Sequence, residues 1–254
     1  MLEIIDHGRI REIRLSRPPA NALNGVLFNA LDIALGEAAE SASAVVVSGL
    51  PGMFSAGLDV PELLQLERQS FFEVLLSFMK TNKTIATMPV PTAFALTGHA
   101  PAGGMVMAIF GDYRVMVDGR FKAGLNEVQV GLLVPSIVHK ALVRLLGAHR
   151  AERILVSGEL MEAGKAAEIG LVDELAESPE AAVSRAIQWC EQHLALPAHA
   201  MNKMRTVARA DIHTLFEADL ESEAEAFTEM WFRDDTRKIL TAMVEKLKNR
   251  QAKG

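Results

Sequence analysis

Between Ala44 and Gly49 the chain reads AVVVSG, a continuous apolar, β-branched run with no alternating polar face. A strand with one wet side alternates, whereas an unbroken run belongs to a strand covered on both faces, as in a parallel sheet between other layers. The same demand returns at 92-TAFALTG-98, and Tyr113 to Val117 supplies a third strand. Helical spacing fills the intervals. From Asn24 to about Glu40, Val26, Leu27, Ala30, Leu31, Ala34, Leu35 and Ala38 recur on one face, and a second helix is expected from about Ala102 to Phe110. Strands alternating with helices make this an α/β chain.

Two further regions frame these modules. At the start, 2-LEIID and 10-IREIRL flank His7-Gly8 as a hairpin, and Arg17-Pro18-Pro19 forms a turn. From roughly Ser136 helical periodicity dominates, and the segments 180-EAAVSRAIQWCEQHLA, 199-HAMNKMRTVARA and 214-TLFEADLESEAEAFTEMWF contain no glycine, with a break expected at Pro197. We divide the chain into a core over 1–195 and a helical C-terminal region over 196–254.

Composition excludes several classes. With 50% hydrophobic residues, 23% charged and a net charge of −6, the chain reads as soluble and globular, and nucleic acid is not an expected partner. Cys190 has no partner for an internal disulfide and sits in an amphipathic helical pattern, so it reads as packing in a reducing compartment. The most apolar internal run, 100-APAGGMVMAIF-110, is far short of the roughly 20 residues of a membrane span, so no membrane partner is expected. The basic tail KLKNRQAKG reads as a solvated helix end. The N-terminus lacks a signal-peptide run, which points to the cytoplasm, although a removed presequence leaves the same trace.

Each of the first two modules carries a glycine-rich turn beyond its strand, 52-GMFSAGLD-59 and 98-GHAPAGG-104, and both turns belong at one sheet edge where ligands bind. Without bulky side chains there, a substrate can approach the backbone and use its N–H groups as an oxyanion hole. Gly103 and Gly104 stand near a helix start, whose first N–H groups have no internal acceptor. The competing reading is that these glycines serve only close helix packing. In 122-KAGLNEVQVGLLVP-135 the acidic residue is Glu127, and apolar surroundings raise a carboxyl's proton affinity. Such a group can remove and return a proton alpha to a carbonyl, while an exposed loop glutamate is the plainer alternative. Asn126 can orient that acid or simply form a turn.

Other chemistries find less support. A nucleophile elbow around Ser55 needs glycine where the chain has Met53. The seven histidines, at 7, 99, 139, 149, 193, 199 and 213, show no metal-ligand spacing, so no metal is assigned. His99 lies near the proposed anion site but reads as structural. No phosphate loop or dinucleotide fingerprint follows a strand.

Four segments, 16-SRPPANAL-23, 53-MFSAGLDVPEL-63, 97-TGHAPAGGMVMAIFGDYRV-115 and 158-GELMEAGKAAEIGLVDEL-175, resemble the crotonase (enoyl-CoA hydratase/isomerase) superfamily in order and spacing. The resemblance covers most of the chain. It implies a crotonase-like spiral of ββα units, a helical C-terminal trimerisation region, a homotrimer or dimer of trimers, and acyl-CoA thioesters as substrates. Carried over by motif, the oxyanion donors are the N–H groups of Leu58 and Gly103. Ser55, Ala56, Gly57 and Asp59 line the CoA site, with Ala20 and Ala22 on a second wall.

Hydratases of this superfamily use two glutamates, and Val106 stands here where the first is expected. The segments 124-GLNEVQVGLLVP-135, 100-APAGG-104 and 147-GAHRAERIL-155 are most similar to mitochondrial-type Δ3,Δ2-enoyl-CoA isomerases, which keep the later acid alone. The implied reaction is a proton shuttle by Glu127 in β-oxidation of unsaturated fatty acids, with no cofactor beyond the CoA of the substrate. A hydratase, thioester hydrolase, decarboxylase or dehalogenase on the same fold is the alternative, and a non-catalytic acyl-CoA-binding protein is a further one, disfavoured by Glu127. Phe71, Phe72, Leu75 and Phe78 can line an acyl pocket or form plain core.

Overall fold

The structure, a computed structural model, describes residues 1–251. It opens with the expected hairpin, β1 (Leu2–His7) antiparallel to β2 (Ile10–Leu15), with Ile5 opposite Glu12. Helix α1 (Gly25–Ser41) starts where the Asn24 side chain accepts from the Leu27 N–H, and its Leu27, Phe28, Leu31 and Leu35 stripe is buried. The β-branched run forms β3 (Ala44–Ser48), buried at every position. It is followed by β4 (Gly52–Met53), α2 (Val60–Leu63) and α3 (Arg68–Ala86).

Two more modules repeat the scheme. The second is β5 (Thr92–Leu96), β6 (Gly98–Pro101) and α4 (Gly103–Ile109). The third is β7 (Tyr113–Val117), β8 (Lys122–Gly124), a 3-10 turn over Glu127–Val130, α5 (Ser136–Leu146) and α6 (Ala148–Ser157). Then β9 (Met161–Glu162), α7 (Ala163–Glu168) and β10 (Glu174–Ala176) complete two sheets, one ordered β1-β2-β3-β5-β7-β10 and the other β4-β6-β8-β9. Each module therefore sends one strand to each sheet, which is the ββα spiral of the crotonase fold.

The second sheet lies inside segments that read as turns in the sequence. Its strands are too short and too rich in glycine to show a side-chain pattern. A Cβ on Gly98 would fall 1.9 Å from the Gly52 carbonyl carbon, so β4 and β6 pair as Gly52↔Gly98 only because no side chain intervenes. Strands β9 and β10 likewise interrupt a stretch read as helical.

Helix α8 (Pro179–Leu194) lies on the larger sheet through small residues, Ala182, Ala186 and Cys190 packing with Val46, Ala93, Ala95 and Val115. Burial pushes the Cys190 thiol up to about 12, in keeping with a packing role. After Pro197, α9 (Ala198–Ala208) is tied to the start of β5 by Arg205, which donates to Asp112 at 3.0 and 2.8 Å while Asp112 accepts from the Thr92 N–H. Segment 214–232 is not one helix. Helix α10 (Ala210–Leu215) stops, and the Asp219 side chain caps α11 (Leu220–Trp231) by accepting from the Glu221 and Ser222 N–H groups.

Helix α12 (Asp234–Gln251) carries the basic tail as far as Gln251; the rest of KLKNRQAKG lies outside the described residues. Phe227, Trp231 and Leu240 from α11 and α12 join the same buried cluster as Leu27, Phe71 and Leu96. Trp231 stacks on Phe71 with ring centroids 4.5 Å apart, a contact worth roughly 0.5–1.5 kcal/mol beyond its buried area. No helix among the described residues is long and apolar enough to cross a membrane.

Candidate active site

Strands β4, β6 and β8 are neighbours running parallel, so their C-terminal ends emerge at one edge of the smaller sheet. Leu58, Gly103 and Glu127 each follow one of those ends within five residues. All three line one cavity of about 210 Å³. The spiral is what gathers them, since each successive turn of the chain delivers one element of the site to the same place.

The two amides are held close together. A Cβ on Gly103 would lie 3.6 Å from the Leu58 nitrogen, and one on Gly57 would lie 3.2 Å from the Gly103 nitrogen. Leu58 is fixed from both sides: the Leu23 N–H donates to the Gly57 carbonyl and the Asp59 N–H to the Leu23 carbonyl, each at 2.8 Å. Gly103 opens α4, so its N–H is one of the helix's orphan donors. Neither N–H donates a hydrogen bond among the described residues. Ala102, just before Gly103, has φ 47° and ψ −124°, a conformation costing an L-residue about 1–3 kcal/mol. It is held there by its own N–H, which donates to the Gly124 carbonyl at the end of β8 at 2.8 Å.

Glu127 begins the 3-10 turn. The residue as a whole is half-buried, but its Oε2 is fully buried and has no hydrogen-bond partner among the described residues. That desolvation, opposed only by its own backbone N–H, pushes the carboxyl up to about 7. Every other side chain lining the cavity is apolar or neutral: Leu75, Phe78, Val106, Trp231, Leu240 and Met243 form much of the wall. Asn126 also lines it, but its side chain makes no hydrogen bond to the acid among the described residues.

Ala56 lines the same cavity; Ser55, Gly57, Asp59, Ala20 and Ala22 do not, and they are laced to one another and to Ala56 by hydrogen bonds. The Ala56 N–H donates to the Ala20 carbonyl at 2.9 Å. The Ser55 hydroxyl, fully buried, donates to the Asn21 carbonyl and accepts from the Gly57 N–H. Asp59 caps α2 through the Glu62 N–H and accepts from Arg17 at 2.7 Å, and Arg17 also donates to the Ala22 carbonyl. These side chains thus shape the wall through the backbone. Asn21, which sequence reasoning passed over, is the hub: at φ 47° its amide donates to the Leu15 and Phe54 carbonyls and its Oδ1 accepts from the Arg17 N–H. An asparagine inside a tight turn was the available signal.

His99 is structural, its Nδ1 accepting from the Lys122 N–H at 3.0 Å and its ring set edge-on to Phe121. Of the candidate acyl-pocket residues, Leu75 and Phe78 reach the cavity, while Phe71 is packed on Trp231 behind it. The walls supplied by Phe227, Trp231, Leu240 and Met243 were not anticipated. Their i, i+4 and i, i+3 spacing marked an apolar face without saying what it covers.

The enoyl-CoA hydratase/isomerase family model matches residues 6–252. The chain belongs to this family. It is 31% identical over 248 residues to mouse mitochondrial enoyl-CoA delta isomerase 1, covering 94% of this chain and 84% of that protein. It is also 31% identical over 205 residues to the probable enoyl-CoA hydratase EchA17 of Mycobacterium tuberculosis, covering 80% and 76%. The fold superposes on that of human mitochondrial delta3-delta2-enoyl-CoA isomerase with a TM-score of 0.92 at 26% identity, over 98% of both chains. As a member of the enoyl-CoA hydratase/isomerase family, the chain is an acyl-CoA enzyme.

Proposed function

We propose that this enzyme is a Δ3,Δ2-enoyl-CoA isomerase, moving the double bond of a 3-enoyl-CoA to give the trans-2-enoyl-CoA. The observation that carries this reading is that Glu127 is the sole ionisable side chain lining the cavity, among the described residues. Isomerisation needs a single group that takes a proton and gives it back, best with a proton affinity near neutrality, and Glu127 is pushed up to about 7.

In this mechanism the Glu127 carboxylate removes a proton from C2. The electron pair moves toward the thioester oxygen and conjugates with the C3=C4 bond, forming a dienolate. The Leu58 and Gly103 N–H groups hold that oxygen, each such donor contributing typically about 3 to 4 kcal/mol. The protonated Glu127 then delivers the proton to C4, leaving the double bond between C2 and C3. No water, metal or redox group enters the balance. Hydration would call for a second acid to handle the added water, and the position expected for it carries Val106, buried in the cavity wall.

A hydratase, thioester hydrolase or decarboxylase is the alternative, because a relative named as a probable hydratase is as similar as the isomerase, at 31%. Incubation with a 3-enoyl-CoA and, separately, a 2-enoyl-CoA, following migration, hydration and CoA release, separates these. Migration without hydration supports the isomerase; hydration or CoA release without migration overturns it. We also propose assembly as a homotrimer or dimer of trimers through the C-terminal region, testable by light scattering, and a role in β-oxidation of unsaturated acyl chains.

A further inference from the structure

Behind the active-site cavity lies a second one of about 410 Å³, lined by Leu125, Val128, Leu133, Val134, Leu155 and Val156 together with Ser136 and His139. Its rim is apolar and open, with Leu133 61% and Val156 74% exposed. Two residues line both cavities, Glu127 and Leu132. The backbone between them is closed by the Leu132 N–H, which donates to the Glu127 carbonyl at 3.0 Å. The Leu132 side chain, almost fully buried, is therefore an aliphatic partition standing beside the proposed base. Leu132 belongs to the main hydrophobic cluster, as do Leu75, Phe78, Phe227, Trp231 and Leu240 in the rest of the wall, but of these it alone also lines the second cavity.

We propose that Leu132 sets the acyl-chain length of this site, confining the chain to the inner cavity and shutting it out of the larger one. The inference rests on the acyl-CoA isomerase reading above and adds a substrate class, acyl groups of short to medium length. The inner cavity has about 210 Å³, and it must hold the thioester carbonyl and the reacting carbons as well as the rest of the acyl chain. That volume falls below the roughly 300–1,000 Å³ of pockets for drug-sized ligands, so a long tail has no room in it. The outer cavity could take such a tail, being apolar and open at its rim, but Leu132 closes the way.

The test uses saturated acyl-CoAs from butanoyl- to tetradecanoyl-CoA as binding probes and the matching 3-enoyl-CoAs as substrates. In the wild-type protein, affinity should rise by about fourfold per buried methylene and stop rising near octanoyl-CoA. Leu132→Ala joins the cavities and should raise the ratio of tetradecanoyl- to hexanoyl-CoA affinity by about tenfold or more, with kcat/KM following the same trend. Adding Val156→Trp, which fills the outer cavity from an exposed position, should return the ratio to its wild-type value. Should Leu132→Ala fold poorly, Leu132→Val carries the same shift at smaller amplitude, and the wild-type binding series needs no variant. Wild-type affinity climbing steadily through tetradecanoyl-CoA, or an unchanged ratio in folded Leu132 variants, overturns the proposal. Because binding is read apart from turnover, a shifted binding profile in a protein that does not isomerise would remove the isomerase reading alone. Isomerisation with an unshifted profile would remove this inference alone.

Discussion

The Leu58 nitrogen lies 3.6 Å from the place a Cβ on Gly103 would occupy, although the two residues belong to different modules of the chain. Two free N–H groups this close form a single electropositive patch in an apolar wall, and Glu127 lines the same cavity. Both amides depend on the backbone at Gly57, and the first expected outcome follows from that.

Gly57 has φ +81°, and a Cβ there would come within 3.1 Å of the Ala102 Cβ and 3.2 Å of the Gly103 nitrogen. Gly57→Ala therefore strains the turn and crowds a proposed oxyanion donor together. We expect a stability loss of about 1 kcal/mol or more by urea denaturation. Turnover should fall by about 10²-fold or more. Unchanged kcat in the folded variant would remove the Gly57 turn from the catalytic argument.

Glu127→Gln keeps the shape of the side chain and removes the proposed base. Turnover should drop by about 10²–10⁴-fold while acyl-CoA binding, measured by calorimetry, stays within a few-fold. Full activity in this variant would mean that another group moves the proton.

The raised carboxyl gives the wild-type enzyme a pH signature. In the proposed reaction Glu127 acts as a carboxylate, so kcat/KM should climb with pH through about 7 and then level off. Stability runs the other way. A folded-state value raised above the ordinary 4.5 favours folding below that value and loses the advantage as pH rises to about 7. Relative to wild type, Glu127→Gln should therefore gain on the order of a few kcal/mol as pH goes from 4.5 to above 7. Parallel denaturation curves for the two proteins at both ends of this range would contradict the burial of Oε2.

Val106→Glu places a second acid in the same cavity. Two carboxyls in one apolar site resist double ionisation, so the midpoint of the pH–rate profile should move upward from about 7. The same variant should gain hydration of a 2-enoyl-CoA if the position at Val106 is what withholds it. A profile that does not move would show that the two side chains do not interact.

Trp231 separates packing from hydrogen bonding. Its ring is fully buried against Phe71, yet its Nε1 is buried without a partner among the described residues. Trp231→Ala should lose about 3–5 kcal/mol, whereas Trp231→Phe should cost much less, because it removes an unsatisfied polar group along with some volume. Thermal denaturation of both variants distinguishes these; equal losses would show that the indole N–H is satisfied in solution.

Much of this arrangement was legible in the chain itself. The β-branched run at Ala44 and the strand-like segments at Thr92 and Tyr113 became three adjacent strands of the larger sheet, because a strand covered on both faces lacks the alternating polar side of an exposed one. Asn24 opened an expected helical run and Pro197 an expected break, and both stand at helix N-caps, while the glycine turns and Glu127 meet at one cavity. Family motifs added the proposed roles of Leu58 and Gly103. What the sequence did not disclose depends on backbone pairing and on distant contacts. Strands as short as Gly52–Met53 and Lys122–Gly124 carry no periodicity, so the second sheet, whose shared edge brings Leu58, Gly103 and Glu127 together, arises only when the modules stack. The apolar faces of α11 and α12 could be read as amphipathic, but their closing of the cavity through Trp231 and Leu240 could not, since periodicity fixes which side of a helix is apolar and not what it packs against.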